Sequence, residues 1–342
     1  MKIKPMTKFA ILALSLVLVA CAGGGSEEAG CPAIDGREIN VVATTPMIGE
    51  FVSQVGGENI NLTVLMPPEA NPHTYEPAPQ DAGTIAEADL VFYTGLLYEP
   101  AALVKLLENS ACSTDILSEV GESVFPIEFK EGGHDDHDDE EGHDDHDDEK
   151  DHDDEEGHDD HEGHNHGAYD PHFWFDPSRV AYAAEYIESR LIQFDPENES
   201  SYISSADSFV SELNDLTKQV SELISTVPSQ NRKLITTHES LGYLEAKFGL
   251  EVLSTIIPSL NSANEISPSD LAGVIDVIED NNVKVIFIES EAPSVYSETI
   301  VAETGIKPVT GLYVETLKPG QSYSEFLISN VKLITENLQD TD

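Results

Sequence analysis

Twelve histidines occur in the chain, and their distribution points to metal coordination. Nine crowd one acidic segment: His134, His137, His143, His146, His152, His158, His161, His164 and His166. The other three, His73, His172 and His238, stand singly in separated segments. Imidazole is the commonest metal ligand at neutral pH. His73 ends the loop Pro67-Pro68-Glu69-Ala70-Asn71-Pro72-His73, and His238 directly follows an expected strand, Leu234–Thr237. Ligand sites in open α/β sheets gather beyond the carboxyl ends of strands. His172 lies in Asp170-Pro171-His172-Phe173-Trp174-Phe175-Asp176-Pro177, just before an expected helix. Any one of these histidines alone is more often structural; three in lobes that face one another make a metal centre the better reading. Tetrahedral zinc with histidine nitrogens at ~2.0–2.1 Å needs a further ligand. Glu289 and Glu315 each follow a late strand, and the residues alone leave both open, as ligands or as ordinary solvated acids and caps.

The elements that position these residues alternate. Before the acidic segment, strands are expected at Ile39–Ala43, Leu62–Met66 and Leu90–Tyr93, with helices at Met47–Val55, Asp81–Glu87 and Pro100–Glu108. After residue 230, strands are expected at Lys233–Thr237, Val252–Ile257, Lys284–Ile288 and Pro308–Leu312. Helices are expected at Leu241–Phe248, Ser269–Asp280, Val295–Thr304 and Tyr323–Leu338. Short apolar strands alternating with helices imply an α/β fold whose sheets are largely parallel and flanked by helices. Between the halves, Asp176-Pro177 is a helix start signal. Apolar residues recur at helical spacing from Val180 to Phe194 and from Phe209 to Val227, with Asp195-Pro196 as a break. Up to about thirty residues of helix, near 45 Å at ~1.5 Å per residue, are available to brace one lobe against the other.

Composition sets the compartment and excludes some partners. The chain carries 65 acidic against 17 basic residues, a net charge of −48. Nucleic acid is excluded as a partner, because phosphate neutralisation needs Lys and Arg. Lys2, Lys4 and Lys8 precede an apolar run, Phe9 to Ala20, which is too short to span a bilayer and fits a secretory signal. Leu18-Val19-Ala20-Cys21 resembles a lipobox, implying cleavage before Cys21 and its lipidation, with a plain cleaved signal as the alternative. Cys31 and Cys112 are left as a pair able to form a disulfide outside the cytosol, if geometry permits. From residue 131 to 166 nearly every residue is His, Asp, Glu or Gly, with nothing apolar to bury, which predicts disorder without a ligand. The expected organisation is a signal at 1–20, a lipidated tether at 21–38 and an N-terminal lobe at 39–176 with the inserted loop at 131–167. A helical linker at 177–230 and a C-terminal lobe at 231–342 follow.

Three segments carry a family resemblance. Asn71-Pro72-His73-Thr74-Tyr75-Glu76-Pro77, Asp170-Pro171-His172-Phe173-Trp174 and His238-Glu239-Ser240-Leu241-Gly242-Tyr243-Leu244 resemble signature segments of one family. It comprises the zinc- and manganese-binding solute-binding proteins of ABC importers, the cluster A-I or ZnuA-like family. The similarity runs from about residue 38 to the C-terminus. It implies two α/β lobes joined by a long rigid helix, with metal held in the inter-lobe cleft. It further implies His73, His172 and His238 as ligands. Gly311-Leu312-Tyr313-Val314-Glu315-Thr316-Leu317 is similar to the segment that supplies the fourth ligand, with Glu315 where many relatives have Asp. Glu289 resembles a family acid near the site. Asp170, Asp176 and Glu239 are candidates to hold the second ring nitrogens of the histidines, since ligating imidazoles need such partners.

The function this implies is capture of Zn2+ outside the cytoplasm and its delivery to an ABC permease with a cytoplasmic ATPase, by a lipid-anchored monomer. Zinc is favoured over Mn2+ because several manganese-specific members resemble this chain but carry Glu at the position of His238, and three nitrogens with one carboxylate suit zinc. The nine loop histidines would gather zinc weakly for the cleft. A zinc hydrolase is the enzyme alternative, but the chain has no His-Glu-x-x-His pair and no phosphate-cradling Gly-rich loop. A zinc-storage or adhesin lipoprotein is the remaining alternative.

Overall fold

The structure, a computed structural model, describes residues 31, 34, 36–129, 169–291 and 295–339. It opens with β1 (Ile39–Ala43) and α1 (Pro46–Gly56), whose start is set by the Thr45 side chain accepting the N–H of Ile48 and by Pro46 in the first turn. β2 (Ile60–Val64), α2 (Pro79–Ala86), β3 (Leu90–Tyr93), α3 (Ala101–Ser110) and β4 (Leu117–Glu119) follow. The four strands form one parallel sheet in the order β2-β1-β3-β4. Side chains alternate across it. Val41, Ala43, Leu90 and Phe92 enter one buried cluster with α1, while Val42 and Val91 enter another with Ile85, Leu103 and Leu107 of α2 and α3. Burial on both faces explains why residues 41–43 and 90–92 read as unbroken apolar runs.

Two departures from expectation have local causes. β2 begins at Ile60 rather than Leu62, because buried Ile60 pairs with Ile39 at the start of β1. β4 was not expected, since Leu117-Ser118-Glu119 is short and mixed in polarity, as suits the sheet's edge.

The helical stretch between the halves is a pair, α4 (Pro177–Phe194) and α5 (Glu199–Ser225), packed side by side. Asp195 stops the first helix and accepts hydrogen bonds from Asn198 Nδ2 at 2.7 Å and the Tyr202 hydroxyl at 2.6 Å. The apolar stripe of α5, from Tyr202 through Phe209, Leu213, Leu216 and Val220 to Ile224, is buried.

The second half runs β5 (Lys233–His238), α6 (Gly242–Phe248), β6 (Glu251–Ile257), α7 (Pro268–Asp280), β7 (Val285–Glu289), α8 (Val295–Thr304), β8 (Lys307–Leu312) and α9 (Tyr323–Gln339). β5 pairs with β6 and β7 with β8, both in parallel. β5 lies beside β7, and the N–H of Glu289 donates to Thr237 Oγ1 at 3.0 Å. α5 touches both α1 and α9, and one apolar cluster runs from β1 and α1 through α4 and α5 to Phe326, Val331 and Ile334 of α9. The two halves therefore share a core, and opening them widely would expose it to water.

Candidate metal centre

Each of the three isolated histidines is placed by a different local device. His73 sits in a single helical turn, Pro72–Thr74, capped by Asn71 Oδ1, which accepts the N–H of His73 at 2.9 Å. His172 precedes the turn Phe173–Phe175, whose three aromatic side chains are fully buried. His238 is the last residue of β5. Glu315 lies just beyond β8, and its N–H donates to Glu291 Oε1 at 3.2 Å.

The fold brings these four side chains together. One ligand atom from each of His73, His172, His238 and Glu315 lies within 4.8 Å of every other. Glu315 Oε1 is 3.1 Å from His73 Nε2 and 3.0 Å from His238 Nε2, while Oε2 is 3.4 Å from His172 Nε2. A tetrahedron of zinc–ligand bonds near 2.0–2.1 Å has edges of ~3.3 Å, close to these separations. His172 Nε2 and His238 Nε2 are buried and make no hydrogen bond among the described residues. Buried polar atoms are rarely left so, and a cation between them would supply the missing partner.

Two carboxylates fix the rings from behind. Asp170 Oδ1 lies 2.8 Å from His172 Nδ1 and also accepts that residue's N–H at 2.8 Å. Glu289 Oε2 lies 2.5 Å from His238 Nδ1, and its Oε1 accepts the N–H of His238 at 3.2 Å. A carboxylate on Nδ1 leaves Nε2 as the metal-facing atom and makes the imidazole a stronger donor. His73 Nδ1, by contrast, is buried with no hydrogen-bond partner among the described residues.

The electrostatics are those of a cation site. Burial alone lowers the affinity of His172 for a proton, yet Asp170 and Glu315 outweigh it and raise its pKa to about 9. Burial likewise opposes charge on His238, but Glu289 and Glu315 lift it well above the usual imidazole range. Burial would raise the Glu315 carboxyl, and the three histidines together hold it well below the usual carboxylate range. The site thus stabilises positive charge, and a divalent ion entering it displaces protons from the imidazoles.

Residues 41–337 match the family described as zinc-uptake complex component A, periplasmic. The chain belongs to this family. It is 28% identical to the high-affinity zinc uptake system protein ZnuA of Bacillus subtilis, covering 96% of each chain. It is 26% identical to the manganese ABC transporter substrate-binding lipoprotein PsaA of Streptococcus anginosus, covering 98% of this chain and 99% of that one. In fold it resembles the periplasmic zinc-binding protein TroA of Treponema pallidum, with a TM-score of 0.72, 20% identity and coverage of 88% of this chain and 99% of that chain. This member of the zinc-uptake component A family is a metal-binding, substrate-binding component of an ABC transporter and not an enzyme.

Within this family member, two of the acids singled out in the sequence do other work. Asp176 caps α4, its Oδ1 accepting from Ser178 N at 2.9 Å and Ser178 Oγ at 2.6 Å, because the free N–H groups of the helix start compete for it. Glu239 accepts from Thr255 Oγ1 at 3.0 Å and does not reach the ring of His238. Consecutive residues at a strand's end point to opposite sides, which turns Glu239 away.

Three further residues serve the centre without having been expected there. The Tyr98 hydroxyl lies 3.0 Å from both Glu315 Oε2 and the Glu315 carbonyl oxygen. Glu291 Oε1 accepts the N–H groups of Val314 and Glu315, and burial with the nearby Glu315 charge pushes its carboxyl up to about 8. Trp174 Nε1 donates to the Val314 carbonyl at 2.8 Å. Tyr98 stands just past the carboxyl end of β3, the one sequence signal that marks it. Cys31 and Cys112 are bonded, with Cα atoms 5.0 Å apart. The loop histidines His134, His137, His143, His146, His152, His158, His161, His164 and His166, and Cys21, lie outside the described residues. No helix among the described residues is long and apolar enough to cross a membrane.

Proposed function

We propose that the protein captures Zn2+ outside the cytoplasm with His73, His172, His238 and Glu315 and hands it to an ABC permease driven by a cytoplasmic ATPase. The observation that carries this reading is the convergence of three imidazoles on one buried carboxylate, with Nε2 of His172 and His238 left unbonded. Zinc binds such a nitrogen-rich, four-ligand set well, whereas manganese prefers more oxygen. With all four positions supplied by protein, none remains for a reactive water, which fits transport rather than hydrolysis. Cys21 carries the lipid that tethers the chain, and residues 131–166 act as a weak zinc-gathering antenna. The protein works as a monomer.

Manganese is the second reading, favoured by the name of the PsaA relative. Competitive titration of the mature protein with Zn2+ and Mn2+, with and without residues 131–166, separates the two. One tight zinc site is expected to survive loop deletion and to collapse in His238→Ala and Glu315→Ala. Loss of all binding with the loop would overturn the assignment.

A further inference from the structure

The turn after β3 is built at a conformational cost. Gly95, Leu96 and Leu97 all have positive φ, at 76°, 53° and 63°. Glycine adopts this region freely, but two consecutive leucines do not, and such strain persists only where surrounding bonds over-determine it. Here they do. Glu99 is buried, its Oε1 accepting Thr94 N and Thr44 Oγ1 at 2.7 Å each and its Oε2 accepting Gly95 N at 2.9 Å. Glu119 Oε1 accepts Leu96 N at 2.9 Å, and Tyr98 N donates to the Gly95 carbonyl at 2.9 Å.

What this turn delivers is the Tyr98 side chain. Its ring is buried edge-on against His73, His172 and Trp174, with centroids 5.1, 5.9 and 5.3 Å away. Its hydroxyl has one hydrogen and two acceptors at 3.0 Å, the carbonyl and Oε2 of Glu315. The ionised carboxylate is the stronger acceptor. Oε1 meanwhile faces His73 Nε2 and His238 Nε2 at 3.1 and 3.0 Å, whereas Oε2 lies farther from the remaining imidazole, 3.4 Å from His172 Nε2. Tyr98 thus distinguishes the two oxygens of a single carboxylate.

We infer that Tyr98 is a specificity-determining residue: its hydroxyl occupies Oε2 of Glu315 and leaves one oxygen, Oε1, for the metal. This rests on the proposed metal centre. A carboxylate held to one oxygen completes a four-ligand set of three nitrogens and one oxygen, which suits zinc. A carboxylate free to bind through both oxygens adds a hard ligand and favours manganese, since selectivity between such ions comes from ligand number and geometry.

The test compares mature wild-type protein with Tyr98→Phe, which keeps the ring and removes only the hydroxyl. Zn2+ and Mn2+ affinities are measured by competitive titration, and Co2+ is used as a visible probe of coordination number. Wild type is expected to show the intense visible bands of four-coordinate Co2+. In Tyr98→Phe these bands should weaken as coordination rises, and the Zn:Mn affinity ratio should fall about tenfold or more, the scale of one charge-assisted hydrogen bond. An unchanged ratio and spectrum in a variant that still binds tightly would overturn the role of Tyr98 alone. Weak, higher-coordinate Co2+ bands in wild type would overturn it too, even if the variant failed to fold. Absence of any tight site in wild type would instead sink the metal-centre reading itself, and this inference with it.

Discussion

His238 Nδ1 and Glu289 Oε2 lie 2.5 Å apart at the carboxyl ends of two adjacent strands, and both side chains are fully buried. The adjacency of β5 and β7 makes this contact, with Thr237 Oγ1 and the Glu289 N–H holding the strands in step. Partners of this kind are expected to tune metal affinity about 10–100-fold. Glu289→Gln, which keeps the shape and removes the charge, should weaken zinc binding by about tenfold or more in competitive titration. Equal affinity in wild type and variant would mean that the contact is packing alone.

Proton and metal compete for the same nitrogens. In the folded, metal-free protein His172 titrates at about 9, raised from 6.5. A raised imidazole contributes stability that is fully present below its unfolded value and lost as pH rises through the folded one. The melting temperature of metal-free protein should therefore fall between pH 6.5 and 9 through this group. Zinc affinity should climb over the same window as the protons leave. Calorimetry across that range, with and without zinc, checks both signs. Parallel curves for the two forms would contradict the assignment.

Asn71 ties the His73 turn to the other half of the molecule. Its Nδ2 donates to Ser262 Oγ at 3.0 Å and to the Glu291 carbonyl at 3.4 Å, while its Oδ1 caps the turn. Asn71→Ala removes all three bonds, each worth about 1 kcal/mol. Zinc should dissociate about tenfold faster, and stability to denaturant should fall by up to about 3 kcal/mol. Stopped-flow release to a chelator reads this directly, and an unchanged off-rate would show that the His73 turn holds its place without Asn71.

The Cys31–Cys112 bond closes a sequence separation of 81 residues and involves none of the four candidate ligands. Loop-closure entropy for such a span is on the order of 4 kcal/mol. The double variant Cys31→Ser, Cys112→Ser should lose stability on that scale in denaturant unfolding while keeping zinc affinity. Parallel loss of affinity would show that the bond reaches the site.

Much of this architecture is written locally and can be read without coordinates. β1, β3 and α8 fall at the residues that apolar periodicity and turn signals mark, because short-range patterning governs where an element begins and ends. Asp195-Pro196 announces the break between α4 and α5 for the same reason. The three isolated histidines stand out because so few others occur outside the acidic segment, and their segments carry the family resemblance.

The partners of those histidines are another matter. Asp176 and Glu239 are near the ligands in sequence, yet a helix start claims one and strand alternation turns the other away. Glu289 reaches His238 only because β5 and β7 lie side by side. Tyr98 reaches Glu315 across the join between the halves, by way of a left-handed turn that its two leucines disfavour. By itself the sequence determined most of the elements, the acidic, histidine-rich composition of residues 131–166 and the short list of candidate ligands, since each depends on residues near one another in the chain. Only tertiary structure decided that Glu289 rather than Glu239 meets the ring of His238, and which oxygen of Glu315 meets the Tyr98 hydroxyl. The Glu289–His238 and Tyr98–Glu315 contacts join residues distant along the chain, and only packing brings them within hydrogen-bonding distance.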